Sequence, residues 1–144
     1  MDRPIGSDAG FSLIELMVAV AILAVLAVGV TVVAGRSTSP FERDVARFQR
    51  AFETQSALAI HGAQRRGLRI TPLGMRTARH ENGRWVWSDN SIGWDTSVSV
   101  SVQDPVIGAP DIVFLANGQN SRFDVVFASA RRCQSDGWTG LTCD

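Results

Sequence analysis

The side chains with the clearest chemical potential in this 144-residue sequence are two cysteines near its C-terminus. Cys133 and Cys143 are 10 residues apart, and the only two histidines, His61 and His80, lie far from them in the chain. A zinc site needs further Cys or His ligands nearby, so no metal is predicted. If the domain lies outside the cytoplasm, the pair predicts a disulfide that closes a short loop. Two free thiols are the alternative for a cytoplasmic domain.

Acid–base and nucleophilic groups do not form a recognisable catalytic pattern. His61 lies near the end of a predicted helix, His80 lies in an arginine-rich segment, and no G-x-S-x-G motif accompanies them. Aspartates occur mainly in predicted turns, where Asp is common, without the spacing of an EF-hand calcium loop. They are Asp89, Asp95, Asp104 and Asp111. We therefore predict a protein that is not an enzyme and takes no cofactor.

An arginine-rich segment gives the strongest local imbalance of charge. From His61 to Arg84 its arginines are opposed by Glu81 alone. They are Arg65, Arg66, Arg69, Arg76, Arg79 and Arg84. A basic surface beside Trp85 and Trp87 would suit DNA phosphates and stacked bases. The whole chain, however, has 14 basic and 14 acidic residues and no nucleic-acid-binding motif. This balance favours a solvated basic face that contacts acidic surfaces of protein partners, with both tryptophans packed in or near the core.

Glu15 is the titratable residue in the least expected place. It lies in an apolar segment, and from Leu16 to Ala34 only Gly29 and Thr31 interrupt a run of Met, Val, Ala, Ile and Leu. Such a run is close to the ~20 residues needed to cross the core of a bilayer. Because an unpaired carboxylate in lipid is costly, Glu15 predicts a positively charged partner.

The N-terminal segment has three interpretations. The first is an uncleaved membrane anchor, and the second is a secretory signal peptide cleaved after the VVA that ends at Ala34. Against the signal peptide, Asp2 and Asp8 offset Arg3 before the apolar run, so the usual positive excess is missing. The third follows from the stretch GFSLIEL, Gly10 to Leu16, which resembles the class III signal of type IV pilins and pseudopilins.

The resemblance implies a processing route and a role for Glu15. In this family a prepilin peptidase on the cytoplasmic face would cut between Gly10 and Phe11 and methylate the new amino group of Phe11. The carboxylate of Glu15 would then neutralise the α-amine of Phe11 on a neighbouring subunit in a filament. The expected divisions are a leader at residues 1–10, a transmembrane and filament-core helix at 11–35, and a periplasmic domain at 36–144. Together they make a single-pass protein of the bacterial inner membrane.

The residues after the apolar run interrupt one helix and start another. The stretch GRSTSP, residues 35–40, predicts a break, whereas Ser39, Pro40 and Glu42 form the signature of a helix N-terminus. An apolar stripe at helical spacing follows, on a helix expected to reach about Ala63: Phe41, Val45, Phe48 and Phe52. Pilins join the two segments into one long helix, so GRSTSP predicts a bend or a flexible joint in this chain.

The remaining sequence predicts antiparallel strands at residues 68–71, 74–78, 84–87, 97–102, 112–115 and 123–127. Asn82-Gly83 and Asn117-Gly118 predict hairpin turns. Asp136-Gly137 predicts another turn, in a C-terminal hairpin that brings the two cysteines opposite each other. The predicted class is α+β: a long N-terminal helix, transmembrane and then amphipathic, packed on antiparallel β-sheets as in pilins.

The C-terminal part is similar to one branch of this family. The stretch IVFLANG, Ile112 to Gly118, followed by a strand and an Asp-Gly turn, resembles the H-type minor pseudopilins of type II secretion. The resemblance implies a structural subunit of the pseudopilus, which helps to export folded proteins across the outer membrane. Its partners would be other major and minor pseudopilins, the prepilin peptidase, the inner-membrane assembly platform and a secreted substrate. The alternatives are a minor pilin of type IV pilus assembly or DNA uptake, and a periplasmic ligand-binding domain on a simple anchor.

Overall fold

The computed structural model of the chain describes residues 12–34 and 39–144. The predicted leader, the predicted cleavage site at Gly10 and Phe11, and most of the predicted break, residues 35–38, lie outside the described residues. The chain divides into two compact units, Met1–Ser37 and Thr38–Asp144.

The described part of the first unit is one helix, α1 (Leu13–Ala34). It begins where the C=O of Ser12 accepts hydrogen bonds from the N–H groups of Glu15 and Leu16, at 2.9 and 3.2 Å. The large apolar side chains from Leu13 to Val25 are exposed. Over the described residues, no helix of the chain combines the length and the apolarity required to span a membrane.

Helix α2 (Pro40–His61) opens the second unit, and local sequence explains both of its ends. The N–H of Ser39 donates to the Glu42 carboxylate at 3.0 Å, which lowers the pKa of Glu42. Pro40 occupies the first turn, where its missing N–H has no helical partner to lose. The helix ends slightly before the predicted limit, because Ala63 takes a left-handed backbone with φ of 46°.

The strands of the described residues form two four-stranded antiparallel sheets, each with one face toward α2. Sheet A has the order β3-β2-β1-β5. Its strands are β1 (Arg66–Thr71), β2 (Gly74–Glu81), β3 (Arg84–Gly93) and β5 (Ile112–Phe114). Sheet B has the order β4-β6-β7-β8. Its strands are β4 (Val98–Val102), β6 (Phe123–Phe127), β7 (Arg131–Ser135) and β8 (Thr142–Cys143). The predicted α+β, pilin-like class is confirmed.

The two Asn-Gly dipeptides make different turns. Asn82 and Gly83 both have positive φ, 49° and 77°, as the tight turn of the β2–β3 hairpin requires. At Asn117-Gly118 the chain also reverses, and the N–H of Leu115 donates to the C=O of Gln119 at 2.8 Å. The flanking strands β5 and β6, however, belong to different sheets. The predicted hairpin is therefore present but confined to a short antiparallel bridge across the turn, after which the chain passes from sheet A to sheet B.

The core lies between α2 and the inner faces of the two sheets. Phe48 and Phe52 of α2 pack against Phe114 of sheet A and against Phe123 and Phe127 of sheet B, with ring centroids 5.0–5.9 Å apart. Tilted and edge-on contacts of this kind add about 0.5–1.5 kcal/mol per pair to the burial of the rings. The apolar stripe predicted from the sequence of α2 thus faces the core.

The C-terminal hairpin is closed by a covalent bond. Cys133 on β7 lies opposite Cys143 on β8, and the two form a disulfide, as predicted for a domain outside the cytoplasm. In the turn between them, the N–H groups of Thr139 and Trp138 each donate to the Asp136 carboxylate at 2.8 Å. These two hydrogen bonds lower the pKa of Asp136.

Candidate functional site

Glu15, the predicted assembly residue, lies in the first turn of α1. Its side chain is exposed, and the apolar side chains of Ile14 and Leu16 beside it are 71% and 61% exposed. None of the ion pairs within residues 12–34 and 39–144 includes Glu15. The predicted partner, the amine of Phe11 on another subunit, lies outside these residues. The geometry therefore leaves the Glu15 carboxylate accessible to a second chain.

The apolar surface of α1 is not confined to one face of the helix. Nine large apolar side chains between Leu13 and Val25 are exposed by 54–78%, and they occur at nearly every position of the segment. A surface helix of a globular protein has one apolar stripe, which packs on its domain, whereas a helix that is apolar all round has to be covered on all sides. The sequence of α1 therefore requires lipid or several protein neighbours.

The predicted arginines are divided between two faces of sheet A. Side chains alternate along a strand, and residues directly opposite each other on neighbouring strands share a face. Arg69 and Arg76 are cross-strand partners on the outer face, away from the core. Arg66 and Arg79 are cross-strand partners on the opposite face, and the register of β2 with β3 puts Arg84 on that face as well. The arginine-rich segment is thus not gathered on one face.

Two guanidinium groups on the outer face are bonded within the domain. That of Arg69 lies 4.3 Å from the centroid of the Trp87 ring and donates to the C=O of Ala109 at 2.7 Å. That of Arg76 donates twice to the C=O of Ser88, at 3.1 and 2.6 Å. A cation that stacks on an aromatic ring and also donates to a carbonyl has fewer hydrogens left for an external phosphate.

Two other residues of the segment, Arg79 and His80, also make side-chain contacts within the domain. Arg79 pairs with Glu81 at 2.7 Å, and His80 packs edge-on against Trp85 with ring centroids 5.0 Å apart. Arg65 precedes β1, and its C=O accepts a hydrogen bond from the N–H of His80 at 2.9 Å. Trp85 is half-buried in this packing. These contacts support the interpretation of a solvated structural face over that of a nucleic-acid interface.

The most strongly bound charge in the domain belongs to a residue that the sequence did not single out. Asp44 on α2 is 0% exposed. Its carboxylate accepts hydrogen bonds from the N–H of Asp95 at 3.0 Å, and from the N–H and hydroxyl of Thr96 at 2.9 and 2.8 Å. Arg47, one turn along α2, donates to it at 3.1 Å. The buried carboxylate therefore fastens α2 to the loop between β3 and β4.

Exposed ion pairs surround the buried carboxylate of Asp44. Asp95 is 3.1 Å from Arg43 and 3.3 Å from Arg47. The hydrogen bond from Arg47, followed by that from Arg43, lowers the pKa of Asp95. In the sequence, Asp44 and Arg47 have only the spacing of an ordinary surface ion pair on a helix. The N–H donors lie 51 and 52 residues away, so no local signal predicts the burial of Asp44.

The two histidines considered for catalysis lie on different elements. His61 is the last residue of α2, whereas His80 lies on β2 against Trp85. Across the part of the chain that the structure describes, no three or more His, Cys, Asp or Glu side chains converge as a metal ion requires.

Comparison with known sequences gives information about the N-terminal segment of the chain. The model of the prokaryotic N-terminal methylation motif matches residues 6–31, a segment that contains Glu15 and most of α1. No curated protein matches the chain. The motif therefore identifies the N-terminal segment and leaves the domain to be compared by its fold.

Solved structures match that fold. The minor pseudopilin EpsH of the Vibrio cholerae type II secretion system matches with a TM-score of 0.62 and 12% identity, over 73% of this chain and 95% of EpsH. A crystal structure of the same V. cholerae pseudopilin gives 0.62 and 14%, over 72% and 92%. The solution structure of E. coli GspH gives 0.58 and 22%, over 76% and 93%. The chain thus combines a prokaryotic N-terminal methylation motif with the fold of the minor pseudopilins EpsH and GspH, and the resemblance predicted from its sequence is confirmed.

Proposed function

We propose that the chain is a minor pseudopilin, a structural subunit of a type II secretion pseudopilus and not an enzyme. One observation carries the proposal: the same chain joins a methylation motif at residues 6–31 to a domain with the fold of EpsH and GspH. EpsH is a component of a type II secretion system, which favours secretion over the alternative of type IV pilus assembly or DNA uptake. The internally bonded arginines of sheet A support the same preference.

In this proposal a prepilin peptidase removes residues 1–10 by cutting between Gly10 and Phe11, and the new amino group of Phe11 is methylated. Residues 11–35 then hold the chain in the bacterial inner membrane, and residues 36–144 fold in the periplasm. The match to the methylation motif spans the cleavage position and supports this processing. The disulfide between Cys133 and Cys143 suits an oxidising compartment and supports the periplasmic location.

Helix α1 would supply the contact between subunits. Its all-round apolar surface suits lipid before assembly and the helices of neighbouring subunits in the filament. The exposed carboxylate of Glu15 would pair with the α-amine of Phe11 on a neighbouring subunit, because either charge alone is costly in apolar surroundings. The pair would fix the axial register of one helix against the next.

The domain would make the remaining contacts of the pseudopilus. Its partners in this proposal are other major and minor pseudopilins, the inner-membrane assembly platform and a secreted substrate. The basic side chains that remain exposed on sheet A, such as Arg84, suit acidic surfaces on neighbouring subunits. The role is one of binding and support.

Mass spectrometry of the mature N-terminal peptide, taken from the membrane fraction, tests the processing step. We expect a peptide that begins with N-methylated Phe11. A peptide that retains Met1, or one that begins at Gly35, would show a plain anchor or a secretory signal and would overturn the pseudopilin assignment.

Substitution of Glu15 tests the assembly step separately. The Glu15→Ala chain should be processed normally and should fail to co-purify with the other pseudopilins. Glu53→Ala, which removes an exposed carboxylate from α2, is the matched control and should co-purify like the unaltered chain. Normal co-purification of Glu15→Ala would contradict the pairing of Glu15 with the amine.

A further inference from the structure

Trp138 is an exposed aromatic side chain on a firmly held backbone. It is 73% exposed, and its N–H donates to the Asp136 carboxylate at 2.8 Å. The preceding Gly137 donates its N–H to the Ser135 hydroxyl at 3.1 Å, and its C=O accepts from the N–H of Asn120 at 3.1 Å. The disulfide also closes this loop. A ligand that covers Trp138 would therefore lose little free energy to the ordering of the backbone, because the backbone is already held in place. The indole is therefore well placed as a binding platform.

Two adjoining cavities lie beside this indole. One, of about 380 Å³, is lined by Trp138 itself. The other, of about 560 Å³, lies on the outer face of sheet B. Gln103, Arg122 and Asp136 line both cavities, so the two are neighbours, and we call them together the Trp138 groove.

The walls of the Trp138 groove consist largely of uncharged side chains that form hydrogen bonds. They include Ser101, Gln119, Asn120, Gln134, Thr139 and Thr142. A predominantly apolar ligand would take water from these amides and hydroxyls without replacing its hydrogen bonds, which is unfavourable. The groove is therefore suited to a ligand with many hydroxyl or amide groups.

The charges of the Trp138 groove oppose an anionic ligand. Its described lining holds Arg122 and three carboxylates, those of Asp104, Asp124 and Asp136, of which Asp124 is paired with Arg132 at 3.3 Å. The guanidinium of Arg122 is held in place, since it donates to Oε1 of Gln103 at 3.2 Å and to the C=O of Asp136 at 3.3 Å. A lining with an excess of carboxylates repels phosphates and nucleic acids. The chemistry of the groove thus favours a neutral ligand.

We propose that the Trp138 groove binds a neutral oligosaccharide. A pyranose ring has an apolar face of C–H groups, which packs on an aromatic ring, and a rim of hydroxyls that both donate and accept hydrogen bonds. Trp138 provides the aromatic platform, and Arg122 with the amide and hydroxyl side chains meets the hydroxyls. The two neighbouring cavities, of about 380 and 560 Å³, have room for more than one sugar unit. The inference goes beyond the pseudopilin assignment and does not depend on it.

Isothermal titration calorimetry of the full chain, in a detergent without a sugar head group, tests the proposal. The probes are chitotetraose, a β-linked chain of N-acetylglucosamine, and maltotetraose, an α-linked chain of glucose. We expect saturable binding of at least one probe, and Trp138→Ala should weaken that binding by about 10-fold because the aromatic contact is lost. Binding of chitotetraose alone would support a cell-wall type of glycan, and binding of maltotetraose alone would support an α-glucan.

Two further variants make the experiment specific. Leu73→Ala removes another highly exposed apolar side chain, 87% exposed on the β1–β2 turn outside the groove, and should bind like the unaltered chain. Arg122→Gln should weaken binding while Trp138 stays in place, and far-UV circular dichroism would check that each variant is folded. Absence of saturable binding of both probes at millimolar concentration would overturn the proposal. Binding by Trp138→Ala as tight as that by Leu73→Ala would overturn it equally.

Discussion

The charged groups of the domain lie in two regions that differ in burial and in hydrogen bonding. Around Asp44, one buried carboxylate collects N–H and hydroxyl donors from a loop more than 50 residues along the chain. On the outer face of sheet A, Arg76 bonds a carbonyl of the neighbouring strand, and Arg69 covers Trp87 and donates one hydrogen bond to the loop before β5. The arginine-rich region has more charge, yet the buried Asp44 carboxylate makes more hydrogen bonds between separate elements. Burial and bonding, and not density of charge, decide which charged residues the fold depends on.

Among the changes that test this comparison, Asp44→Ala should lower the stability of the domain most. The change leaves buried N–H and hydroxyl donors of Asp95 and Thr96 without an acceptor, so we expect the free energy of unfolding to fall by about 3–5 kcal/mol. Denaturant unfolding of the full chain in detergent micelles measures the loss. Asp89→Ala, which removes an exposed carboxylate from β3, is the control and should change stability little. Equal stability of the two variants would remove the distinction between the regions.

Arg69→Ala should have an intermediate effect. It removes the cation over Trp87 and the aliphatic stem that covers the ring, for an expected loss of about 1 kcal/mol. Tryptophan emission should also shift to longer wavelength as water reaches Trp87. Arg84→Ala is the matched control, since the side chain of Arg84 is exposed and forms no hydrogen bond or ion pair among the described residues. An identical response of the two variants would show that the Arg69 stack is not a stabilising contact.

Arg79→Gln should have a smaller effect. The pair between Arg79 and Glu81 is short at 2.7 Å, but both side chains are well exposed, 50% and 39%. Exposed pairs of this kind contribute less than about 0.5 kcal/mol and are weakened by salt. A double-mutant cycle with Glu81→Gln at low and high salt measures the coupling. A coupling energy above about 1 kcal/mol that does not change with salt would show that this pair behaves like the buried Asp44 region.

Asp95→Asn should have the smallest effect, and only above acidic pH. The pKa of Asp95 is lowered by Arg47 and Arg43 from its ordinary value of 3.8, so ionised Asp95 stabilises the fold above that pH. The contribution is lost as the pH falls through the lowered pKa. Unfolding of both chains over a pH series should therefore show a small advantage of the unaltered chain at pH 7, which shrinks below pH 3.8. A difference in unfolding free energy between the two chains that stays the same in acid would exclude a role for the Asp95 charge.

Features that depend on neighbouring residues were predictable from the sequence. The spacing of Phe48 and Phe52 defined the buried face of α2, and Asn82-Gly83 defined the turn of the β2–β3 hairpin. The terminal turn at Asp136-Gly137 gave the correct pairing of β7 with β8 and hence the disulfide. Each of these follows from helical period, from turn chemistry or from strand alternation, which act over a few residues.

Features that depend on distant segments were not predictable in this way. Which arginines share a face is decided by the register of β1 with β2, and a shift of register between Arg76 and Ala78 changes the pairing with β3. The turn at Asn117-Gly118 closes only a short hairpin, because the strands on either side find their main partners in different sheets. The Trp138 groove is assembled from three separate loops and the outer face of sheet B. Residue types alone therefore predicted a binding surface at the arginines and gave no indication of the one at Trp138.

The short last strand has a consequence for how the chain matures. β8 contributes only Thr142 and Cys143 to the edge of sheet B, and so short an edge strand opens readily without an anchor. The crosslink to Cys133 supplies that anchor, and closing a loop of this size restricts the unfolded chain by ~2–3 kcal/mol. A newly synthesised chain carries two thiols, so its tail is secured only after it meets an oxidant. Copies kept under reducing conditions would retain a protease-sensitive last hairpin, and resistance to digestion would mark the copies whose thiols have been oxidised.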